Sequence, residues 1–249
     1  MEKMVIAVCG KGGVGKTVFS TLLSRTLIDA NIRPLLLIDA DPMGGLTAAI
    51  GEGPVHSLAG IRDRIIASAR KRETADVASQ LEYLLLEALV ERDYYSLLAM
   101  GRSEEKGCFC PANDLLRDSI DLLVSKFSVV LIDAEAGIEQ ISRDVTRHVT
   151  GIVCIVDGSR RSTDTVRQIV KMVSPTKVSV VGNRLTAKEM SQLPGDLELL
   201  GAIPENGALR QFDREGRSLW ELPADNEAVL AARGIAQALW RAESSFATA

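Results

Sequence analysis

The sequence lacks any long hydrophobic run. Its longest apolar stretches, such as Leu35 to Ile38 and Val129 to Ile132, fall far short of the roughly 18 residues that span a bilayer as a helix, so no membrane-crossing segment is expected. Cysteine is scarce: 4 in 249 residues are too few for a disulfide scaffold. Basic charge is not in excess either. The 29 Lys and Arg face 33 Asp and Glu, a net charge of −4, which argues against a protein whose main task is neutralising nucleic-acid phosphates. Glycine (20) and proline (8) are not enriched, and 46% hydrophobic with 25% charged residues is ordinary globular usage, which removes the collagenous, low-complexity and disordered classes. At the N-terminus Met1-Glu2-Lys3-Met4 runs directly into Val5-Ile6-Ala7-Val8 without a long h-region or a small-residue cleavage site, so a cytoplasmic location is expected.

What the sequence does contain is a series of short β-branched and Leu-rich runs: Met4 to Cys9, Leu35 to Asp39, Ser128 to Asp133, Ile152 to Asp157, Val178 to Gly182 and Leu197 to Ile203, with Tyr94 to Met100 a weaker seventh. Most are apolar nearly throughout, as strands covered on both faces are, and helical periodicity lies between them. The pattern predicts an α/β fold, a mostly parallel sheet flanked by helices. Behind a glycine-rich turn, Val18, Leu22, Leu23, Thr26 and Leu27 recur at helical spacing and mark the first helix. Residues 54–127 change to charge-rich helices and read as an elaboration on a single domain spanning 1–249, and Glu221 to Trp240 reads as a last helical segment.

Gly10-Lys11-Gly12-Gly13-Val14-Gly15-Lys16-Thr17 fits GxxxxGK followed by Ser or Thr, and it sits between a predicted strand and a predicted helix, the setting of a P-loop. Glycines let the backbone curl so that its N–H groups converge on phosphate oxygens, with the helix N-terminus adding a favourable dipole. Lys16 then supplies a point charge to the β- and γ-phosphates, and Thr17 a hydroxyl to Mg²⁺. Asp133 ends an apolar strand, as a Walker B aspartate does, and is placed to hold the Mg²⁺ shell. Asp39 and Asp41, in Ile38-Asp39-Ala40-Asp41-Pro42, leave the second strand at the same sheet edge, where ligands bind in open α/β folds, and one of the two orients the attacking water.

These residues resemble the deviant Walker A ATPases, the group of nitrogenase iron protein and the division-site and partition ATPases. The extra lysine of Lys11-Gly12-Gly13-Val14-Gly15-Lys16-Thr17, the Asp39-Ala40-Asp41-Pro42 loop, the Asp133 strand, Gly182-Asn183-Arg184 and Gly201-Ala202-Ile203-Pro204 carry the resemblance along nearly the whole chain. It implies a homodimer closed around ATP in which Lys11 reaches the partner's phosphates. It makes Asp41 the water-positioning residue, with Asp39 and Asp133 near Mg²⁺, and sets Asn183, Arg184 and Pro204 around the adenine base.

Cys108-Phe109-Cys110-Pro111 narrows the reading further. Pro111 suits the first position of a helix, which leaves Cys110 near its N-cap, where free N–H groups and the dipole stabilise a thiolate. A disulfide between residues two apart is strained, so metal coordination or redox chemistry outranks a structural bridge. One Cys-x-Cys supplies two ligands, and with only His56 and His148 elsewhere a symmetric dimer would supply the other two. Four thiolates suit tetrahedral Zn²⁺ or Fe–S, and a flattened arrangement suits Ni²⁺. Cys9 and Cys154 lie within apolar strands and read as inert core residues.

Met100-Gly101-Arg102, Gly107-Cys108-Phe109-Cys110 and Asp133-Ala134-Glu135-Ala136-Gly137-Ile138-Glu139 together resemble the CO dehydrogenase nickel-insertion ATPases of CooC type. The resemblance implies a homodimeric ATPase that uses ATP/ADP and Mg²⁺, binds Ni²⁺ (or Zn²⁺ at the same site) through paired Cys108 and Cys110, and matures a nickel enzyme such as CO dehydrogenase. The alternative is a partition- or division-type positioning switch with no metal role. Asp225 to Ala249 carries only Arg233 and Arg241 as cations, unlike the basic membrane helix of division-site ATPases, so no membrane partner is expected, and with a net charge of −4 no nucleic-acid partner is expected either.

Overall fold

The computed structural model of the chain describes residues 3–53, 55–70, 77–102, 121, 123–134, 149–173, 176–193, 195 and 197–244. The strands are β1 (Met4–Cys9), β2 (Leu35–Asp39), β3 (Val90–Glu91), β4 (Ser96–Ala99), β5 (Val129–Asp133), β6 (Gly151–Val156), β7 (Lys177–Asn183) and β8 (Glu198–Ile203). They form one sheet in the order β3-β4-β2-β5-β1-β6-β7-β8, parallel at every junction except β3–β4. The long helices are α1 (Lys16–Asp29), α3 (Leu58–Arg70), α4 (Val77–Ala88), α5 (Arg160–Val173) and α8 (Glu227–Ser244), with shorter α2 (Gly45–Ala49), α6 (Ala187–Met190) and α7 (Gly207–Arg214).

The unbroken apolar strands follow from burial on both faces. Within β1, Val5, Ala7 and Cys9 join a core layer with Leu58 and Ile61 of α3, Leu84 and Leu85 of α4, and Val166 and Ile169 of α5. Met4, Ile6 and Val8 point the other way, into Phe19, Leu22, Leu23 and Leu27 of α1 and Ala232, Ile235 and Leu239 of α8. Successive side chains on a strand face opposite sides, so a sheet sandwiched between helices needs apolar residues at every position. Three buried polar residues of α1 are satisfied within the helix: Thr21, Ser24 and Thr26 donate their hydroxyls to the carbonyls of Thr17, Thr21 and Leu22, at 2.8, 2.8 and 2.9 Å.

Strand order positions the site. After β1 the chain crosses to β2, returns to β5 between them, and places β6, β7 and β8 on the other side of β1, so β1 ends at a topological switch point, where open α/β sheets bind ligands. Register aligns Asp133 with both Val8 and Asp39, which brings the ends of three strands to one line. The weak strand expected at Tyr94 to Met100 forms as β4, and β3, two residues on the antiparallel edge, was too short to leave an alternating pattern. In the 54–127 stretch α3 and α4 supply the expected helices, while Cys108 and Cys110 lie outside the described residues.

Candidate functional site

Residues 10–17 wrap from the end of β1 into α1. Gly15 caps the helix with φ of 95°, in the left-handed region, and a Cβ there would fall 2.2 Å from the side-chain nitrogen of Asn183. Only glycine meets both demands. Gly10 is as constrained: its φ is 138° and a Cβ would stand 2.7 Å from the Ile155 carbonyl of β6. The loop curls enough for the Lys16 ammonium to donate back to the Lys11 carbonyl at 3.3 Å. Backbone amides at a helix start with an adjacent cation form a phosphate cradle.

Asp133 and the first turn of α1 are joined directly. Thr17 Oγ1 donates to Asp133 Oδ2 at 2.7 Å and Ser20 Oγ to Asp133 Oδ1 at 2.8 Å. The carboxylate is 1% exposed. Burial pushes its carboxyl up to about 6, against the two hydroxyls; the Asp39 charge on the neighbouring strand adds to the rise and Lys16 opposes it. A hydroxyl and a carboxylate held together beside a phosphate cradle are hard oxygen donors of the kind Mg²⁺ takes. Ser20, absent from the sequence reading, sits one turn below Thr17 on the same helix face, and that spacing was its signal.

Asp39 is bonded to the segment that follows it. Its Oδ2 accepts from the Thr47 amide at 2.7 Å and the Thr47 hydroxyl at 2.6 Å, and its Oδ1 from the Asp41 amide at 3.2 Å. It therefore braces the loop into α2, whereas Asp133 is the strand-end carboxylate bonded to Thr17. Burial raises its carboxyl, and the hydrogen bonds from Thr47 and Asp41 oppose that rise. Asp41 is half-buried, and its Oδ1 accepts from the Met43 amide at 2.8 Å. Its Oδ2 lies toward Thr17: a Cβ on Gly45 would be 3.2 Å from that oxygen and 3.5 Å from Thr17 Oγ1, so this glycine lets α2 begin beside both.

On the far side of β1, Asn183 at the end of β7 is buried, and its amide donates to the Val14 carbonyl at 2.7 Å. Arg184, exposed and at φ of 59°, donates from its guanidinium to the Gly13 carbonyl at 3.2 Å. Residues of bulk adopt that φ rarely, and such strain gathers at functional sites. Asn183 and Ile203 are register partners, which brings Pro204 to the same edge. Asp157, just past β6, escaped the sequence reading although the strand-end logic that marked Asp133 applied to it. Burial would raise its carboxyl, but Ser159, Ser162 and the Lys11 charge hold it down at about 2.

A cavity of about 570 Å³, lined by Leu27, Ile32, Arg233, Ala236 and Trp240 among others, lies at the opposite end of α1 and shares none of these residues. Among the described residues no helix is long and apolar enough to cross a membrane, and no cluster of three or more His, Cys, Asp or Glu could hold a metal ion.

Comparison with known proteins agrees with this geometry. Residues 5–219 match the family model of the CobQ/CobB/MinD/ParA nucleotide binding domain. An uncharacterised ATP-binding protein of Methanocaldococcus jannaschii is 36% identical over 252 residues, covering 94% of this chain and 97% of that protein. The carbon monoxide dehydrogenase accessory protein CooC of Rhodospirillum rubrum is 30% identical over 239 residues, covering 88% and 90%. Among solved structures, the septum site-determining protein MinD of Pyrococcus horikoshii, complexed with Mg-ADP, superposes with a TM-score of 0.68 at 19% identity over 96% of each chain.

Proposed function

The chain belongs to the CobQ/CobB/MinD/ParA nucleotide-binding family and is an ATPase of it, and from that premise we propose that it is a nickel metallochaperone whose ATP cycle matures a nickel enzyme such as CO dehydrogenase. The observation that carries the reading is 30% identity to CooC over 90% of that protein, in a chain that also holds Cys108-Phe109-Cys110. The cargo Ni²⁺ is bound by Cys108 and Cys110 of two protomers brought together when ATP closes the homodimer. Hydrolysis reopens it. ATP and nickel then favour the same closed state, so each strengthens the binding of the other.

In this reading Lys16 meets the β- and γ-phosphates, and Lys11 reaches across to the partner's nucleotide. Thr17 and Asp133 would hold Mg²⁺, whose charge would favour phosphoryl transfer. Asp41 orients the attacking water, Asp39 braces it, and Asn183, Arg184 and Pro204 flank the base. The hydrogen bond between Thr17 and Asp133 supports the magnesium assignment, and the proximity of Gly45 to both Asp41 and Thr17 supports that of the water.

The test is equilibrium Ni²⁺ and Zn²⁺ binding with and without ATP or ADP, for the wild type and for Cys108→Ser/Cys110→Ser, with mass followed by light scattering. The expected result is one metal per dimer, tighter with ATP and lost in the double variant. Metal binding indifferent to the cysteines, or none, overturns the nickel reading and leaves the division- or partition-type positioning switch, which the MinD and ParA members of the family favour.

A further inference from the structure

The water-positioning assignment of Asp41 leaves a question of how a half-buried loop carboxylate is held still. The loop Ala40-Asp41-Pro42-Met43-Gly44 is short, and its own bonds are few: the Met43 amide to Asp41 Oδ1 at 2.8 Å and the Gly44 amide to the Asp41 carbonyl at 2.9 Å. These tie the loop to itself. The Ala40 amide ties its start to the Asp133 carbonyl at 3.0 Å, and the Asp41 amide itself is held by Asp39, whose carboxylate is wholly buried at the end of β2 and whose Oδ1 accepts it.

Asp39 is in turn fixed by a single residue of α2. Thr47, 7% exposed, donates both its amide and its hydroxyl to Asp39 Oδ2, at 2.7 and 2.6 Å. A buried carboxylate that loses a donor turns to find another, which weakens its hold on the Asp41 amide. We infer that Thr47 is a positioning residue for hydrolysis: through the Asp39 carboxylate its hydroxyl sets the position of Asp41 relative to Thr17 and the γ-phosphate. The inference rests on the reading of Asp41 as the residue that orients water. It assigns to α2 a task distinct from nucleotide binding, because Thr47 touches neither the phosphate loop nor Asp133 in any described hydrogen bond.

Thr47→Val keeps the branched shape and the amide and deletes only the hydroxyl; Thr47→Ser keeps the hydroxyl and deletes a methyl. Steady-state ATPase of the full chain is measured for both beside Asp41→Ala, together with Mg-ADP affinity by titration and the melting temperature. The expected result is kcat lowered on the order of tenfold or more in Thr47→Val, since small misplacements of a positioning group carry large rate costs, with KM and ADP affinity within about twofold of wild type. Thr47→Ser recovers most of the turnover. Thr47→Val at wild-type kcat overturns the inference, and so does a parallel loss of kcat, KM and ADP affinity, the mark of a merely structural residue. Should Thr47→Val melt below the assay temperature, Thr47→Ala gives the same comparison without a valine methyl against the carboxylate. Asp41→Ala at wild-type turnover instead removes the assignment of Asp41 itself, whatever Thr47 does.

Discussion

Replacing Asp133 with asparagine separates what the site costs the fold from what it supplies to catalysis. The carboxylate is 1% exposed, and its carboxyl stands at about 6 against an ordinary 3.8, chiefly through burial. At roughly 1.36 kcal/mol per pH unit that difference amounts to about 3 kcal/mol. The sign follows from which state holds the proton more tightly. A raised acid pKa means the folded chain binds the proton better than the unfolded one, so the penalty is absent below about 4, grows as the pH rises to about 6, and is full above it. Asparagine removes the charge, keeps one oxygen to accept from one hydroxyl and presents an amide donor to the other, which can rotate to accept it, so the nucleotide-free protein gains about 1 to 3 kcal/mol at pH 8. Denaturant melts of both proteins without nucleotide or Mg²⁺, from pH 8 to pH 5, read the gain directly. It shrinks as the pH falls through 6, while Mg-dependent ATP turnover is abolished at every pH. An Asp133→Asn protein less stable than wild type at pH 8, or a difference that does not vary with pH, refutes the reasoning.

The P-loop makes two further predictions. Lys16→Ala removes the cation at the start of α1 and abolishes ATP turnover in a phosphate-release assay; wild-type turnover in that variant excludes the phosphate-binding assignment. Gly15→Ala places a Cβ 2.2 Å from the Asn183 amide at a φ of 95°, so it must break the bond from Asn183 to Val14 that holds the loop. Mg-ADP affinity by titration should fall at least about tenfold, the order of one buried hydrogen bond lost together with backbone strain; unchanged affinity shows that the loop tolerates both.

The sequence revealed those parts of the fold that obey a local rule. Strands buried on both faces wrote themselves as apolar runs, and the P-loop as glycines at fixed spacing, because each glycine answers a steric demand of its own. What the rule did not reach were partners distant in sequence. Asp39 and Asp41 share a loop and look interchangeable on the page; only the fold of α2 back onto β2 shows that Thr47 engages the first, while Gly45 opens space beside the second. Asn183 likewise reads as an isolated turn residue until β7 is set two strands from β1 and its amide meets Val14, 169 residues earlier in the chain.

The same distinction bears on how nucleotide and loop communicate. Asp133 and Asp39 are register neighbours on adjacent parallel strands, both buried, and the Asp39 charge adds to the cost of ionising Asp133. Their partners divide cleanly: Asp133 is tied by hydroxyls of α1, which carries the phosphate loop, and Asp39 by the amide and hydroxyl of α2, which carries the loop of Asp41. In the proposed reading α1 would therefore act on the cation and the phosphates and α2 on the attacking water, through two buried carboxylates one strand apart.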